Sequence, residues 1–168
     1  DTARFATASI KRWWRKMGHR RYPRAKELLI TADCGGSNSS RTRLWKVALQ
    51  ELADALGLRL VVCHFPPGTS KWNKIEHRMF CHITRNWRGR PLTSYAVIVQ
   101  LIGSTKTRTG LRIRAELDDR VYPLKETVTD AQIDNVRLMP ATFHGEWNYA
   151  IAPLVEDHGA AGRLADLR

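Results

Sequence analysis

Acidic residues are scarce in this chain: 16 Asp and Glu stand against 28 Lys and Arg in 168 residues, a formal net charge of +12. A globular domain with that imbalance gains by meeting a polyanion, because each phosphate it neutralises releases counterions. Nucleic acid is therefore the expected partner, ahead of a merely solvated basic surface, a ribosomal-type role or a membrane-surface role. Cysteine is scarcer still. Cys34, Cys63 and Cys81 are too few and too irregularly spaced for a disulfide framework, which points to a reducing cytosol. No stretch approaches the ~20 apolar residues that span a bilayer, so no membrane partner is expected. The chain opens with a charged amphipathic pattern where a signal peptide would need an apolar core. It also opens without a methionine, and is expected to begin inside a longer protein. No internal repeat is present. Apolar residues, by contrast, make up 43% of the chain, enough for one domain with a sizeable core.

The apolar residues are patterned. Ala6, Ile10, Trp13, Trp14 and Met17 recur at helical spacing, which predicts a helix over 2–17 with Asp1 or Thr2 as its N-cap and Gly18 as its stop. A basic run from Lys11 to Arg24 follows the outer face of that helix. Residues 27–33 form a short continuous apolar run, read as a buried strand and broken by Gly35, Gly36, Ser37 and Asn38. Leu44, Ala48, Leu52 and Leu56 stripe a second helix over 40–56, with Gly57 as its break. A second buried strand, 58–65, ends at Pro66-Pro67-Gly68. A third helix starts near Asn73 with Ile75, Met79 and Ile83 inward, and a fourth is expected over 92–104. Leu111 to Leu117 alternates like an exposed strand. A short helix at 129–136, a final strand or docking segment at 144–149, and a frayed tail beyond Pro153 complete the reading. The order helix, strand, helix, strand, helix is an α/β pattern, and two continuous apolar strands predict a sheet covered on both faces.

Two acidic residues fall where chemistry is usual. Asp33 follows Leu28 to Ala32 directly, so it projects from the C-terminal end of what reads as a central strand, the edge where open α/β sheets place their sites. Gly35 and Gly36 let backbone approach a phosphate, and Ser37 and Asn38 can hydrogen-bond to it; the same residues also suit an ordinary strand-to-helix turn. Glu76 lies in the first turn of a helix, where the dipole favours a carboxylate. Asn73 as N-cap with Glu76 at the third helical position also fits a capping box. Two carboxylates so placed can bridge a pair of Mg²⁺ or Mn²⁺ ions, which activate a water or a 3′-hydroxyl for in-line attack on a phosphodiester.

These segments carry a resemblance. Phe65-Pro66-Pro67-Gly68-Thr69-Ser70-Lys71-Trp72-Asn73-Lys74-Ile75-Glu76-His77 resembles the mariner-like block of DDE transposases. Thr69 and Ser70 lie near its serine, Asn73 matches its Asn, and Glu76 its catalytic Glu. The chain from Asp1 to about Pro153 is more closely similar to the Rhodopirellula-type family of insertion-sequence transposases. Ser9-Ile10-Lys11-Arg12-Trp13-Trp14, Phe143-His144-Gly145-Glu146-Trp147-Asn148-Tyr149 and both acidic blocks carry that similarity. The resemblance implies an RNase H-like α/β catalytic domain of the ribonuclease H/integrase superfamily, with Asp33 as the second catalytic Asp and Glu76 as the catalytic Glu, 43 positions apart. It implies a Mg²⁺ or Mn²⁺ pair, DNA as partner (transposon ends and target), a homo-oligomeric full-length protein, and a bacterial, cytoplasmic, nucleoid-associated location. The family's first catalytic Asp lies on an opening strand upstream of this chain's first helix, and Asp1 is a poor substitute because it opens a helix. The expectation is a domain over 1–153, incomplete at its N-terminal strands, inactive without the missing N-terminal part, followed by a disordered or degenerate tail over 154–168. The alternative is a non-catalytic basic DNA-binding module or a decayed transposase remnant.

Other chemistry-bearing groups lie near the acidic pair in sequence. Cys63, His64, His77, Cys81 and His82 suggest zinc, but there is no C-x₂-C pair and adjacent strand residues face opposite ways. His77 is instead expected beside the acidic site, and Cys81 in the core. Trp13, Trp14, Trp45 and Trp87 read as packing residues. Trp72, between Lys71 and Lys74, is suited to stacking on an unpaired base. Arg41, Arg43, Lys46, Lys71, Lys74, Arg78, Arg85, Arg88 and Arg90 crowd the acidic segments. Of these, Arg41, Arg43, Lys71 and Lys74, with Trp72, Asn73 and His77, are the expected DNA contacts.

Overall fold

The computed structural model describes residues 2–154. Asp1 lies outside them, as does all of the expected tail except Leu154. In chain order the elements are α1 (Ala3–Trp13), α2 (His19–Arg21), β1 (Glu27–Ala32), α3 (Arg43–Leu56), β2 (Arg59–His64), α4 (Cys81–Trp87), α5 (Tyr95–Gly103), α6 (Asp130–Asp134), β3 (Leu138–Pro140) and β4 (Asn148–Ile151). The chain divides into two compact units: Asp1–Pro67 with Tyr122–Arg168, and Gly68–Val121.

The first unit is mixed α/β. Thr2 caps α1, its hydroxyl oxygen accepting from the Phe5 amide at 3.1 Å. The predicted stop at Gly18 is not one: helical winding continues through a π turn at Trp14–Gly18 into α2, and Gly18 keeps helical dihedrals. Its lack of a side chain serves packing instead, since a Cβ there would lie 2.5 Å from the Trp14 ring. Gly57 does close α3, in the left-handed conformation at φ 62°.

The sheet runs β1-β2-β4-β3, with β1 parallel to β2, and β4 antiparallel to both β2 and β3. Leu28, Ile30, Leu60, Val62, Tyr149 and Ile151 face Trp45, Ala48, Leu49, Leu52 and Ala53 of α3, with Ala3, Ala6, Ile10 and Trp14 of α1 extending the same core. Each of the large side chains among these contributes roughly 1.5–3 kcal/mol on burial. Gln50 ties the late strands to α3: its amide donates to the Ala152 carbonyl at 2.9 Å and its oxygen accepts from the Arg137 amide at 2.8 Å.

Two expectations about the sheet meet a different arrangement. Among the described residues β1 pairs with β2 alone and stands at the edge of the sheet, where a central strand was expected. The face opposite the core is covered in part: Ala150 is 4% exposed there, but Leu29, in the middle of the apolar run, is 62% exposed. A continuous apolar run therefore did not mark burial along the whole of both faces here. Phe143 to Tyr149 resolves into a turn, with His144 at φ 49°, leading into β4.

In the second unit, Ser94 caps α5 by accepting from the Val97 amide at 3.2 Å, shortening the helix expected over 92–104. Asn86 fastens α4 to the end of α5, donating to the Leu101 carbonyl at 2.7 Å and the Ser104 hydroxyl at 3.1 Å. The strand expected over 111–117 does not form. Among the described residues its alternation finds no partner strand beyond the bridge between Lys106 and Arg112.

Candidate active site

Asp33 leaves the end of β1 with its carboxylate exposed and makes no side-chain hydrogen bond or ion pair among the described residues. Its backbone, by contrast, is fixed. The Phe65 amide donates to the Ala32 carbonyl at 2.8 Å, carrying the β1–β2 pairing to the last residue before Asp33. His64, at the end of β2, places Nδ1 3.1 Å from the Asp33 carbonyl oxygen and Nε2 3.0 Å from the Tyr149 hydroxyl. A carbonyl can only accept, so Nδ1 carries the proton and Nε2 accepts from the tyrosine. Burial lowers the His64 pKa below its ordinary value, against the pull of the Asp33 carbonyl and carboxylate, so the ring stays neutral. Burial likewise pushes the Tyr149 phenol up, so its proton stays in place to donate. Beyond Asp33 the chain turns through Gly36 at φ 61°, a conformation that favours glycine. The Ser37 hydroxyl donates to the Asn38 side-chain oxygen at 3.2 Å.

Glu76 belongs to the second unit. Asn73 caps the helix start with its side-chain oxygen on the Ile75 amide at 3.3 Å, and its carbonyl accepts from the Glu76 amide at 3.1 Å. The reciprocal half of the expected capping box is missing, because the Glu76 carboxylate does not return to Asn73. It is exposed and without a side-chain partner among the described residues. Glu76 instead opens a π turn, Glu76–Phe80, that runs into α4. Such turns distort the ladder locally and are common at functional sites. His77 closes the preceding loop, Nε2 donating to the Lys71 carbonyl at 3.0 Å. A true capping box does form elsewhere, between Thr129 and Gln132 at the start of α6.

The remaining site residues fall into place separately. Trp72 is 60% exposed, between the exposed side chains of Lys71 and Lys74. Arg41 is exposed. Arg43 is held by the Asp130 carboxylate at 2.6 Å and the Thr129 carbonyl at 3.2 Å, an ion pair across 87 positions that no local pattern announces. Cys81 is not a core residue: it is exposed, its thiol donating to the His77 carbonyl at 2.8 Å. The zinc arrangement is not formed either. His64 uses both ring nitrogens in the core, and no group of three or more His, Cys, Asp or Glu among the described residues is placed to hold a metal alone. Among the described residues Asp33 and Glu76 are exposed oxygen donors without a protein partner, a donor type that suits hard divalent cations. The role of His64 beneath Asp33 was missed, because its partner Tyr149 lies 85 positions away.

No curated protein and no solved structure matches the chain. The family profile described as the Rhodopirellula transposase DDE domain matches residues 1–153, which takes in both free carboxylates, the strand and helix that carry them, and the closing strand β4. The chain belongs to the Rhodopirellula transposase DDE domain family.

Proposed function

We propose that this domain takes part in DNA transposition by cleaving transposon ends and transferring the freed 3′-hydroxyl to target DNA, on an RNase H-like scaffold with Asp33 and Glu76 as metal ligands. Family membership implies transposition and polynucleotidyl transfer in general. The observation that carries the finer reading is that the two acids expected to be catalytic are both exposed and unpaired, each at the end of an ordered element. A divalent ion bound there, Mg²⁺ or Mn²⁺, supplies activation of the attacking oxygen and stabilisation of the leaving one.

The chain's own residues do the rest. His64 and Tyr149 hold the backbone of Asp33, so the carboxylate leaves from a fixed point. Asn73 and His77 fix the loop and first helical turn that aim Glu76. Lys71, Lys74 and Arg41 hold phosphates, and the Trp72 ring stacks on an unpaired base. Asn73 and His77 contact the same DNA from the loop they close. Arg43 steadies α3 against α6 while its remaining guanidinium donors reach a phosphate.

The test is cleavage by the full-length protein of DNA carrying transposon ends. Asp33→Asn and Glu76→Gln should each abolish metal-dependent cleavage with DNA affinity near that of the unsubstituted protein. Cleavage at an undiminished rate by either variant removes the acidic pair from the chemistry. DNA binding without cleavage by the unsubstituted protein would leave the basic binding module as the better reading.

A further inference from the structure

A basic cavity of the second unit, lined in part by the helix that follows Glu76, has no role in the reading above. It has a volume of about 450 Å³, within the range of small-ligand sites, and is lined by His82, Arg85, Asn86 and the run Thr105 to Thr109. His82, Arg85 and Asn86 stand at spacing i, i+3, i+4 on one face of α4. The facing wall is a tight turn. The Thr107 carbonyl accepts from the Gly110 amide at 3.2 Å, Gly110 takes φ 95°, and Lys106 pairs with Arg112 across the turn. Thr105 is buried and donates to the Leu101 carbonyl at 3.2 Å, the same carbonyl that accepts from Asn86. Both walls are thus fastened to the end of α5, and the cavity is built rather than incidental.

Its chemistry is one-sided. Arg85 and Arg108 carry permanent positive charge, and Lys106 and His82 add further nitrogen donors. No Asp or Glu lines the cavity, and none of these four residues has an ion-pair partner among the described residues. Like charges facing one cavity repel each other, and a bound oxyanion relieves that repulsion. The hydroxyls of Thr107 and Thr109, 3.0 Å apart, offer further hydrogen bonds at the mouth. An arginine fork with hydroxyls beside it matches the tetrahedral oxygens of a phosphate.

We infer that the cavity between α4 and the Thr105–Thr109 turn is a phosphate site, occupied by a backbone phosphate of bound nucleic acid. The assignment of the phosphate to nucleic acid rests on DNA being the partner of this domain; the phosphate chemistry does not. Exposed Arg85 and Arg108 reach the anion from opposite walls, and Lys106 adds charge from the turn. The site anchors the DNA and carries none of the cleavage chemistry.

The test follows backbone amide signals of the full chain by NMR as a DNA oligonucleotide, or separately inorganic phosphate, is titrated in at fixed salt. The Thr105, Thr107 and Arg108 amides should show saturable shifts with DNA, at concentrations far below those phosphate requires. In Arg85→Gln/Arg108→Gln those shifts should disappear while the rest of the spectrum is unchanged. The slope of log affinity against log salt should also become shallower by about 2, close to one unit for each cation that no longer meets a phosphate. Arg85→Ala alone, at an exposed position, should remove about half of that slope change and guards against a misfolded double variant. Still amides during DNA binding, with an unchanged salt slope, overturn the inference and leave DNA as the partner. Equal affinity for inorganic phosphate overturns the nucleic-acid assignment in favour of a free-phosphate site. Absence of DNA binding at low salt overturns both the inference and the DNA reading beneath it.

Discussion

Tyr149→Phe isolates the hydrogen bond that steadies the backbone of Asp33. The substitution keeps the buried ring and removes only the hydroxyl, so the apolar burial of a residue 3% exposed is preserved. What disappears is the donor 3.0 Å from Nε2 of His64, itself only 5% exposed. A buried polar atom left unpaired costs about 1–3 kcal/mol, more than the net worth of the bond itself. The imidazole cannot recover by swapping tautomers, because its other nitrogen must keep a proton for the Asp33 carbonyl. At ~2 kcal/mol, and about 2–4 °C per kcal/mol for a chain of this size, the midpoint of thermal unfolding should fall by roughly 4–8 °C. Chemical denaturation should show the same destabilisation with an unchanged slope. His64→Leu combined with Tyr149→Phe removes both polar partners and should cost less than the two single effects added together. A destabilisation below about 0.5 kcal/mol in the single variant, or strict additivity in the pair, would refute the network.

Gly18→Ala should destabilise the first unit even though alanine is the better helix former by about 1 kcal/mol, because the new methyl meets the Trp14 ring at 2.5 Å. A rise in melting temperature would contradict that packing. Glu126→Gln should cost about 1–2 kcal/mol, since Glu126 accepts from Arg4 at 2.6 and 3.0 Å and draws the segment after Tyr122 onto α1. Arg4 holds the Glu126 carboxyl below its ordinary value near 4.5, so this contribution is complete above that value and is lost as pH falls through the lower, folded-state value. Unfolding measured across pH 3–7 should therefore show a steeper acid response in the unsubstituted protein than in Glu126→Gln; identical slopes would remove the ion pair from that response.

Much of this architecture was legible in local pattern. The stripe through Leu44, Ala48, Leu52 and Leu56 marked α3, Gly57 marked its end, and the two apolar runs marked β1 and β2 at nearly their observed bounds. Those signals depend on residues a few positions apart. The misreadings depend on distant ones. The place of β1 in the sheet depends on pairings with distant segments, β4 lying roughly 120 positions after it, and β3 is only three residues long, too short to show alternation. Gly18 has the residue type of a helix stop, but its neighbour Trp14 gives it a packing role. Leu111 to Leu117 alternates as a strand should, yet among the described residues it finds no partner strand beyond the single bridge at Arg112. At the candidate site, the positions of Asp33 and Glu76 at element ends followed from their flanking residues. The His64–Tyr149 support and the Arg43–Asp130 pair did not, because each joins residues more than 80 positions apart.

The proposal that Asp33 and Glu76 bind one divalent metal is open to Mn²⁺ titration followed by amide NMR on the full-length protein. The amides of Cys34, Gly35 and Gly36 should broaden in parallel with those of His77 and Arg78, at the same low Mn²⁺ concentration. Either Asp33→Asn or Glu76→Gln should abolish the broadening of both sets. Broadening of one set alone, or of two sets with independent midpoints that each survive the other's substitution, would contradict a shared site.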